Sequence, residues 1–244
     1  MVLSGYKSDR GLLRENNEDS YFVNDKVGGY VVADGMGGYK GGEIASNIAV
    51  NTLGKILSHS LQKKQEKDIQ HIVHKALQKA NDEIILMRRR HNELTNMATT
   101  VVLSIFINDI LYYSHLGDSR AYLYKKEGKL FQLTTDDSLV MEMVKRHMIS
   151  EDEIRTHNLR NIVTKYLGLT DLELPEVLNC YVGTDDCIIL CSDGLTSMLE
   201  EKEILSIVKR DISMGPQYIC DTLVDKANNN GGYDNITVIV VQNK

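Results

Sequence analysis

The chain has 244 residues, of which 42% are hydrophobic and 25% charged, a composition typical of a globular protein large enough to bury a substantial core. Its formal net charge of −6 disfavours a nucleic-acid partner, because nucleic-acid binders usually present a basic surface. The longest apolar run, at 101–107, is far too short to cross a bilayer, so we expect no membrane span.

Short segments rich in Val, Ile, Leu and Tyr, bounded by Gly, Asp or Asn, predict strands. In chain order they are 20–24, 29–34, 98–107, 110–117, 120–125, 129–134, 177–182, 186–191 and 235–242. Longer segments with helical apolar spacing predict helices at 43–61 and 68–91, and further helices are expected at 137–147, 151–156, 201–210 and 216–229. The strands come mostly in adjacent pairs, which favours antiparallel sheets in a β-sandwich with helices outside.

The organisation of the chain predicts one domain over 1–244, because no linker or internal repeat divides it. The N-terminus has no apolar signal core. The four cysteines, Cys180, Cys187, Cys191 and Cys220, form no Cys-x-x-Cys pair and are interpreted as reduced core residues. We therefore expect a cytoplasmic protein.

Six carboxylates stand at the ends of predicted strands: Glu18, Asp19, Asp34, Asp118, Asp193 and Asp234. A single aspartate at such a place is usually a turn former. Several carboxylates gathered at one end of a sandwich would repel each other in a partly dry cleft, and a cation would relieve this. Oxygen ligands without a Cys or His cluster point to a hard ion such as Mg²⁺ or Mn²⁺.

Two features next to these carboxylates suit phosphate chemistry. The glycine after Asp34 lets its carbonyl turn toward a metal. Two ions ~4 Å apart can bridge one water and lower its pKa, which makes a nucleophile for phosphorus. Arg14 lies four residues before Glu18, and its planar fork suits bidentate phosphate contact, although a surface or structural arginine is the alternative.

Seven motifs strengthen this hypothesis: RENNEDS, VADGMGGYKGGEIAS, MATTVV, HLGDSRAYL, TTDDSL, LCSDGLT and GGYDNITVIVV. In order and rough spacing they resemble the metal-dependent serine/threonine protein phosphatases of the type 2C class (PPM family), above all the compact bacterial branch. The resemblance runs from about residue 4 to 242. It implies an α+β fold, a four-layer α-β-β-α sandwich of two antiparallel sheets flanked by helices, with two Mn²⁺ or Mg²⁺ ions in a cleft at one end.

The resemblance also implies roles for the carboxylates. Asp34 would bridge both metals, and the Gly35 carbonyl would ligate one of them. Asp193 and Asp234 would ligate the other.

The remaining members of the set have weaker implied roles. Glu18 and Asp19 would act mainly through metal-bound water, Asp19 more directly. Asp118 matches a position that helps to hold a third, weaker metal, and Arg14 would clamp the substrate phosphate. Thr99 and Thr100 are interpreted as structural, beneath the site, and Asn235 as a residue that orients Asp234 and the strand after it.

The chain departs from the family pattern at two positions. Many eukaryotic relatives have a histidine, the supposed general acid, where this chain has Met36, which cannot donate a proton. We expect neither His147 nor His157 to replace it. Ala98 replaces the usual glycine, which should be tolerated unless the backbone there needs a positive φ.

The segment 137–170 resembles the flap beside the family's cleft. It carries Lys145, Arg146, Arg155 and Arg160, which either form a solvated face or steer acidic phosphopeptides toward the metals. The run RRRH at 88–91 lies near a predicted helix end, where cations are favourable for dipole reasons alone.

Other phosphatase classes lack support. No cysteine is followed by arginine six positions later, no Asp-x-Asp motif occurs, and the glycines at 37–42 lack a P-loop Lys-Ser/Thr and are interpreted as a helix entry. The alternatives are a dead relative that binds phosphorylated partners and a hydrolase of small phosphoesters. We favour a bacterial signalling phosphatase in which a metal-bridging hydroxide attacks phosphoserine or phosphothreonine of proteins directly. By resemblance it opposes a eukaryotic-like Ser/Thr kinase, and we expect a monomer.

Overall fold

The computed structural model describes residues 2–37, 41–62 and 68–244. Its strands form two sheets in which every pairing is antiparallel. The first sheet runs in the order β1 (Val2–Asp9), β11 (Ile236–Asn243), β10 (Cys187–Cys191), β7 (Arg120–Lys125) and β8 (Lys129–Gln132). The second runs β2 (Asp19–Asn24), β3 (Gly29–Met36), β5 (Val101–Ile107), β6 (Ile110–Leu116) and β9 (Leu178–Tyr181), and β4 (Ala98–Thr99) pairs with the end of β3.

Helices cover both outer faces. Helices α1 (Gly41–Ser60) and α2 (Ile69–Arg90) pack on the second sheet. The first sheet is covered by α4 (Asp193–Met198), α5 (Glu201–Asp211) and α6 (Pro216–Asn229). Helix α3 (Leu139–Lys145) and a 3₁₀ helix at Glu151–Thr156 belong to the segment 137–170. The four-layer α-β-β-α architecture is therefore confirmed.

Strand β3 shows why the central strands have unbroken apolar sequences. Its Val31 and Ala33 pack against the helical layer, whereas Tyr30 and Val32 join the core between the two sheets. Successive side chains point to opposite faces of a sheet, and here both faces are buried. The run 30–33 is consequently apolar throughout.

Two elements were not predicted from the sequence. Strand β1 is a polar edge strand, held by pairing with β11 from Val2↔Asn243 to Asp9↔Ile236, and its sequence carries no clear alternation. Helix α4 has six residues, too few to show a helical period. The predicted strand at 98–107 is interrupted at Thr100, whose N–H donates to the Asp34 carbonyl at 2.9 Å.

Several smaller expectations can be compared with the structure. Ala98 is absent from the described residues with positive φ, so an alanine fits there. None of the four cysteines is paired, and Cys187, Cys191 and Cys220 are buried. Within the described ranges, no helix has the length and apolar character to cross a membrane. Helix α1 begins at Gly41, and the rest of the predicted helix entry, at 38–40, lies outside the described residues.

Candidate functional site

Asp34 lines an acidic cleft at one end of the sandwich, and Asp19 lies buried beside it. The two residues lie directly opposite each other on β3 and β2, an unfavourable arrangement for two like charges. The backbone of Asp34 is fixed from below, because its carbonyl accepts from Thr99 Oγ1 at 2.8 Å and its N–H donates to Thr100 Oγ1 at 3.1 Å. Both threonines are buried. The prediction that Thr99 and Thr100 are structural is confirmed.

Asp193 approaches the same cleft from the end of β10, at the first turn of α4. Its carboxylate lies beside that of Asp34, close enough for the two side chains to interact. The preceding Ser192 donates its hydroxyl to Asp19 Oδ2 at 2.7 Å and accepts the Thr237 N–H at 2.9 Å. Two buried oxygens, Asp19 Oδ1 and Asp193 Oδ1, have no hydrogen-bond partner.

The glycines that follow Asp34 and Asp193 are explained by close packing. A Cβ on Gly35 would lie 2.1 Å from the Gly42 carbonyl oxygen, and one on Gly194 would lie 2.0 Å from the Asn235 carbonyl oxygen. Any side chain at either position would displace backbone. The Asp-Gly pattern therefore has a structural cause, and a metal-ligating role for the Gly35 carbonyl remains a prediction.

Asp234 lies just before β11 and is engaged on both oxygens. Arg14 Nη2 donates to its Oδ2 at 2.6 Å, and the Asn235 N–H donates to its Oδ1 at 2.8 Å. The Asn235 side chain donates to the carbonyls of Arg10 and Asn16 and accepts the Glu18 N–H. Asn235 thus contacts Asp234, the residue it was predicted to orient, and it also ties Asp234 to the loop that carries Arg14. Neither that tie nor the Arg14–Asp234 ion pair was foreseen.

Asp118 enters the cleft after β6. The next residue, Ser119, shares a 2.7 Å hydrogen bond with Thr100, the residue that supports Asp34. Arg120 behind it makes two contacts to Asp136, at 2.8 and 2.7 Å. Sequence reasoning did not single out Arg120 or Asp136, although the motifs GDSR and TTDD contain them.

The electrostatics of the cleft follow from burial and like charge. Burial, and then the neighbouring carboxylates, raise the pKa of Asp34 well above its usual value. The same causes, burial first, raise the pKa of Asp19 to about 7, of Asp118 to about 8 and of Asp193 to about 6. Burial also raises the pKa of Glu18. The raised pKa values show that ionising the whole set together is unfavourable, and a cation in the cleft would relieve this.

Two connected cavities open at this end of the molecule. The acidic cleft, about 350 Å³, is lined by Asp34, Gly35, Met36 and Thr100 among others. A neighbouring pocket of about 410 Å³ is lined by Arg155, Arg160, Tyr233 and Met198 among others. The two share Arg14, Asp118, Asn161, Asp193 and Asp234. Asn161 was not singled out in the sequence analysis.

The segment 137–170 supplies one wall of both cavities and is closed at its base. Leu139 N–H donates to the Ile162 carbonyl at 2.8 Å, and Thr164 N–H to the Asp137 carbonyl at 2.8 Å. Of its four predicted basic residues, Arg155 and Arg160 line the pocket, whereas Lys145 and Arg146 are exposed and line neither cavity.

The arginine run at 88–91 ends α2, as predicted. Arg88 donates to the Met97 and Gly168 carbonyls, so it braces the base of the segment 137–170.

One observation limits how the carboxylates are arranged. Among residues 2–37, 41–62 and 68–244, no three Asp, Glu, His or Cys side chains are gathered closely enough to hold one metal ion by themselves. The Arg14 contact to Asp234 and the Ser192 contact to Asp19 occupy part of the acidic set. A bound ion would need backbone carbonyl or water ligands in addition to these side chains.

Comparison with known proteins defines the class first. The family profile of protein phosphatase 2C matches residues 14–221, and the chain belongs to this family. Its activity is that of a protein-serine/threonine phosphatase, a hydrolase.

Individual relatives agree over nearly the whole chain. The serine/threonine phosphatase stp of Listeria innocua is 35% identical over 240 residues, which cover 97% of this chain and 94% of that protein. The crystal structure of the Mycobacterium tuberculosis serine/threonine phosphatase PstP/Ppp superposes with a TM-score of 0.91 at 30% identity, covering 100% and 99% of the two chains. A structure of the PstP catalytic domain in complex with 2 manganese ions gives a TM-score of 0.86 at 29% identity, covering 99% and 97%.

Proposed function

We propose that the chain hydrolyses phosphoserine and phosphothreonine in proteins with the help of divalent metal ions, by direct attack of water and without a covalent phosphoenzyme. The observation that carries this proposal is the convergence of Asp19 on β2, Asp34 on β3 and Asp193 just after β10, with two buried carboxylate oxygens that lack a partner among the described residues. Buried, unpaired carboxylates are costly, and a hard cation is the partner that suits them.

The side chains and the backbone carbonyl at this site offer oxygen donors, which suit a centre of hard metal ions. Asp34, the Gly35 carbonyl, Asp193 and Asp234 would hold two ions, and the comparison structure of PstP holds 2 manganese ions. Mg²⁺ is the alternative ion. When bound, such ions supply an activated water and charge that neutralises the phosphate oxygens.

Three further carboxylates would support that centre. Glu18 and Asp19 lie beside the cleft and would act mainly through water. Asp118 lies close enough to Asp193 for their charges to interact, which supports its assignment to a third ion.

Arg14 is the group that would bind the substrate phosphate. Its side chain is half exposed, and it lines both cavities. Its 2.6 Å contact to Asp234 keeps the guanidinium at the cleft mouth, where a phosphate could exchange with the carboxylate for the same donors. Asp234 then keeps the N–H of Asn235 on its other oxygen.

The proton for the leaving alkoxide would come from water in the cleft. Met36 lines the cleft at the position of the eukaryotic histidine and has no proton to give. No histidine lines either cavity among the described residues, which supports the expectation that His147 and His157 do not take this role. None of the four cysteines lines them, which disfavours a thiol nucleophile.

The same proposal covers the catalytic unit, its partners, its location and its oligomeric state. The whole chain would act as one catalytic unit, with 137–170 as a flap that forms one wall of the substrate pocket. Its partners would be phosphorylated proteins and a cognate Ser/Thr kinase, in the cytoplasm, and it would act as a monomer.

The test is an assay of phosphate release from para-nitrophenyl phosphate and from a phosphothreonine peptide, with Mn²⁺, Mg²⁺ or chelator. We expect both substrates to be hydrolysed with metal and neither with chelator. Hydrolysis of the small ester alone would favour the small-phosphoester alternative. Peptide binding without hydrolysis of either substrate would favour a dead, phosphoprotein-binding relative.

A further inference from the structure

Two leucines directly before Arg14 are strongly exposed. Leu12 is 62% exposed and Leu13 is 67% exposed, and Tyr233, next to Asp234, is 58% exposed. A single exposed leucine needs no explanation, but a group of large apolar side chains bordering a functional site does. We call Leu12, Leu13 and Tyr233 the apolar rim.

The members of the apolar rim come from two ends of the chain that touch. Leu12 N–H donates to the Gly232 carbonyl at 2.8 Å. A Cβ placed on Gly232 would lie 2.9 Å from Leu12 Cγ, so the leucine side chain lies over the residue next to Tyr233. The chain segments that carry Leu12, Leu13 and Tyr233 are therefore neighbours in the fold.

The backbone beneath the rim is held on both sides. Gly11 N–H donates to Asp9 Oδ1 at 2.8 Å, and Gly11 has a φ of +76°, which a glycine adopts readily. The Asn235 side chain holds the carbonyls of Arg10 and Asn16, which flank the loop. The leucines are thus presented in a fixed position, and a surface fixed in advance loses less entropy when it binds.

The rim continues into the site already described. Leu13 precedes Arg14, and Tyr233 precedes Asp234 and lines the pocket together with Ile154 and Met198. A phosphorylated residue in a protein brings its neighbours with it, spaced ~3.8 Å apart from one Cα to the next. A side chain one or two residues from a phosphate held at Arg14 would therefore come within reach of residues that neighbour Arg14 in the fold.

We propose that the apolar rim is a specificity subsite that accepts a large apolar side chain of the substrate, one or two residues from the phosphorylated residue. This inference rests on the proposed function of the acidic cleft. The rim adds selection among phosphoproteins, whereas the metals and Arg14 act on any phosphomonoester.

The experiment compares the wild-type chain with the double variant L12S/L13S. Both side chains are exposed, and the hydrogen bond of Leu12 is made by its backbone, so the fold is expected to persist. Substrates are phosphothreonine peptides of Gly and Ser in which one Leu occupies each of the two positions on either side, a Leu-free peptide, and para-nitrophenyl phosphate. The matched control is L178S, which changes a leucine 46% exposed on the edge strand β9.

For the wild type we expect kcat/KM to rise about 10-fold with Leu at one or two adjacent positions, the low end of the range for an apolar group in a pocket, because the rim is exposed. L12S/L13S should lose that preference and keep its activity on the Leu-free peptide and the small ester, and L178S should behave as wild type. A preference that survives in L12S/L13S, or no preference in the wild type, overturns the inference.

Two further outcomes are separable from these. An equal loss on all substrates in L12S/L13S would show a structural role and overturn the subsite. A wild-type dimer that L12S/L13S converts to monomer in sedimentation would assign the rim to a second copy of the chain, and would also overturn it. Failure of the wild type to hydrolyse the small ester with Mn²⁺ is the result that counts against the proposed function itself.

Discussion

Asp19 and Asp186 lie near opposite ends of β10 and are both buried, with 8% and 3% of their surfaces exposed. Asp186 is fully satisfied: Lys125 Nζ and Gly183 N–H donate to its Oδ2 at 2.8 and 2.7 Å, and Lys126 N–H donates to its Oδ1 at 3.0 Å. Asp19 has an unpartnered oxygen and faces Asp34.

The contrast separates two kinds of buried carboxylate: one stabilises the fold through partners in the chain, and the other is available to bind a ligand. A buried charge must be paired, and the far end of the sandwich supplies its partner from the chain itself. At the cleft end, the proposed partner of the carboxylates is a bound cation and not a group of the chain. Burial alone would not have separated the two.

The substitution Asp193→Ala tests the cleft end and is expected to have the largest effect. We expect Mn²⁺-dependent turnover of para-nitrophenyl phosphate to fall by ~10³-fold or more, because a proposed ligand of the activating ion is lost. The thermal stability of the chelated protein should stay the same or rise, because one buried repelling charge is gone. The control is Asp171→Ala at an exposed position, which should change neither quantity. Full turnover in Asp193→Ala would contradict the assignment of the centre.

Arg14→Ala should have the next largest effect. Loss of the guanidinium removes the proposed phosphate contact, and we expect kcat/KM to fall ~10²-fold, partly through a higher KM. Steady-state kinetics on the small ester measures this. Arg10→Ala, an exposed arginine in the same loop, is the matched control. Unchanged kcat and KM in Arg14→Ala would remove the residue from the mechanism.

The substitution Asp186→Ala tests the end of the sandwich opposite the cleft. It leaves Lys125 without its carboxylate and three donors without their acceptor, so the free energy of unfolding should fall by about 2–4 kcal/mol. Denaturant unfolding measures the loss. Activity per folded molecule should be unchanged, and a specific loss of turnover would show that the two ends are not separate in function.

The smallest expected effect is the change in stability of the metal-free protein with pH. The pKa values of Asp19, Asp118 and Asp193 are raised to between about 6 and about 8 in the folded chain, so these groups keep a proton that the unfolded chain releases near 3.8. The unfolded state then binds fewer protons, and the stability of the metal-free protein falls as pH rises from about 4 through 8.

Calorimetry in chelator should therefore show a melting temperature lower by roughly 5 °C or more at pH 8.5 than at pH 5.5. Mn²⁺ should restore it, with the larger gain at pH 8.5. A melting temperature independent of pH, or equal stabilisation by Mn²⁺ at both values, would argue against the repulsion described for the cleft.

The sequence singled out the acidic residues around the cleft because each stands at a strand end. Asp34 and Asp193 follow an apolar run and precede a glycine, whereas Glu18, Asp19 and Asp234 come just before a predicted strand. The antiparallel sandwich followed from strand pairing for a similar reason. The Arg14–Asp234 and Lys125–Asp186 ion pairs were not predictable, because they join residues distant in sequence through the tertiary fold. Gly35 and Gly194 show the same limit, because the backbone that each one touches belongs to another segment.

The pairing of β1 with β11 has a consequence for the order of events during synthesis. Among the described strands, β1 has β11 as its single neighbour in that sheet, and Asn235, just before β11, fastens the loop that carries Arg14. Because a chain is synthesised from its N-terminal side, that loop cannot be fastened until translation has passed β11. The early part of the fold therefore waits for a strand that is made more than 200 residues later.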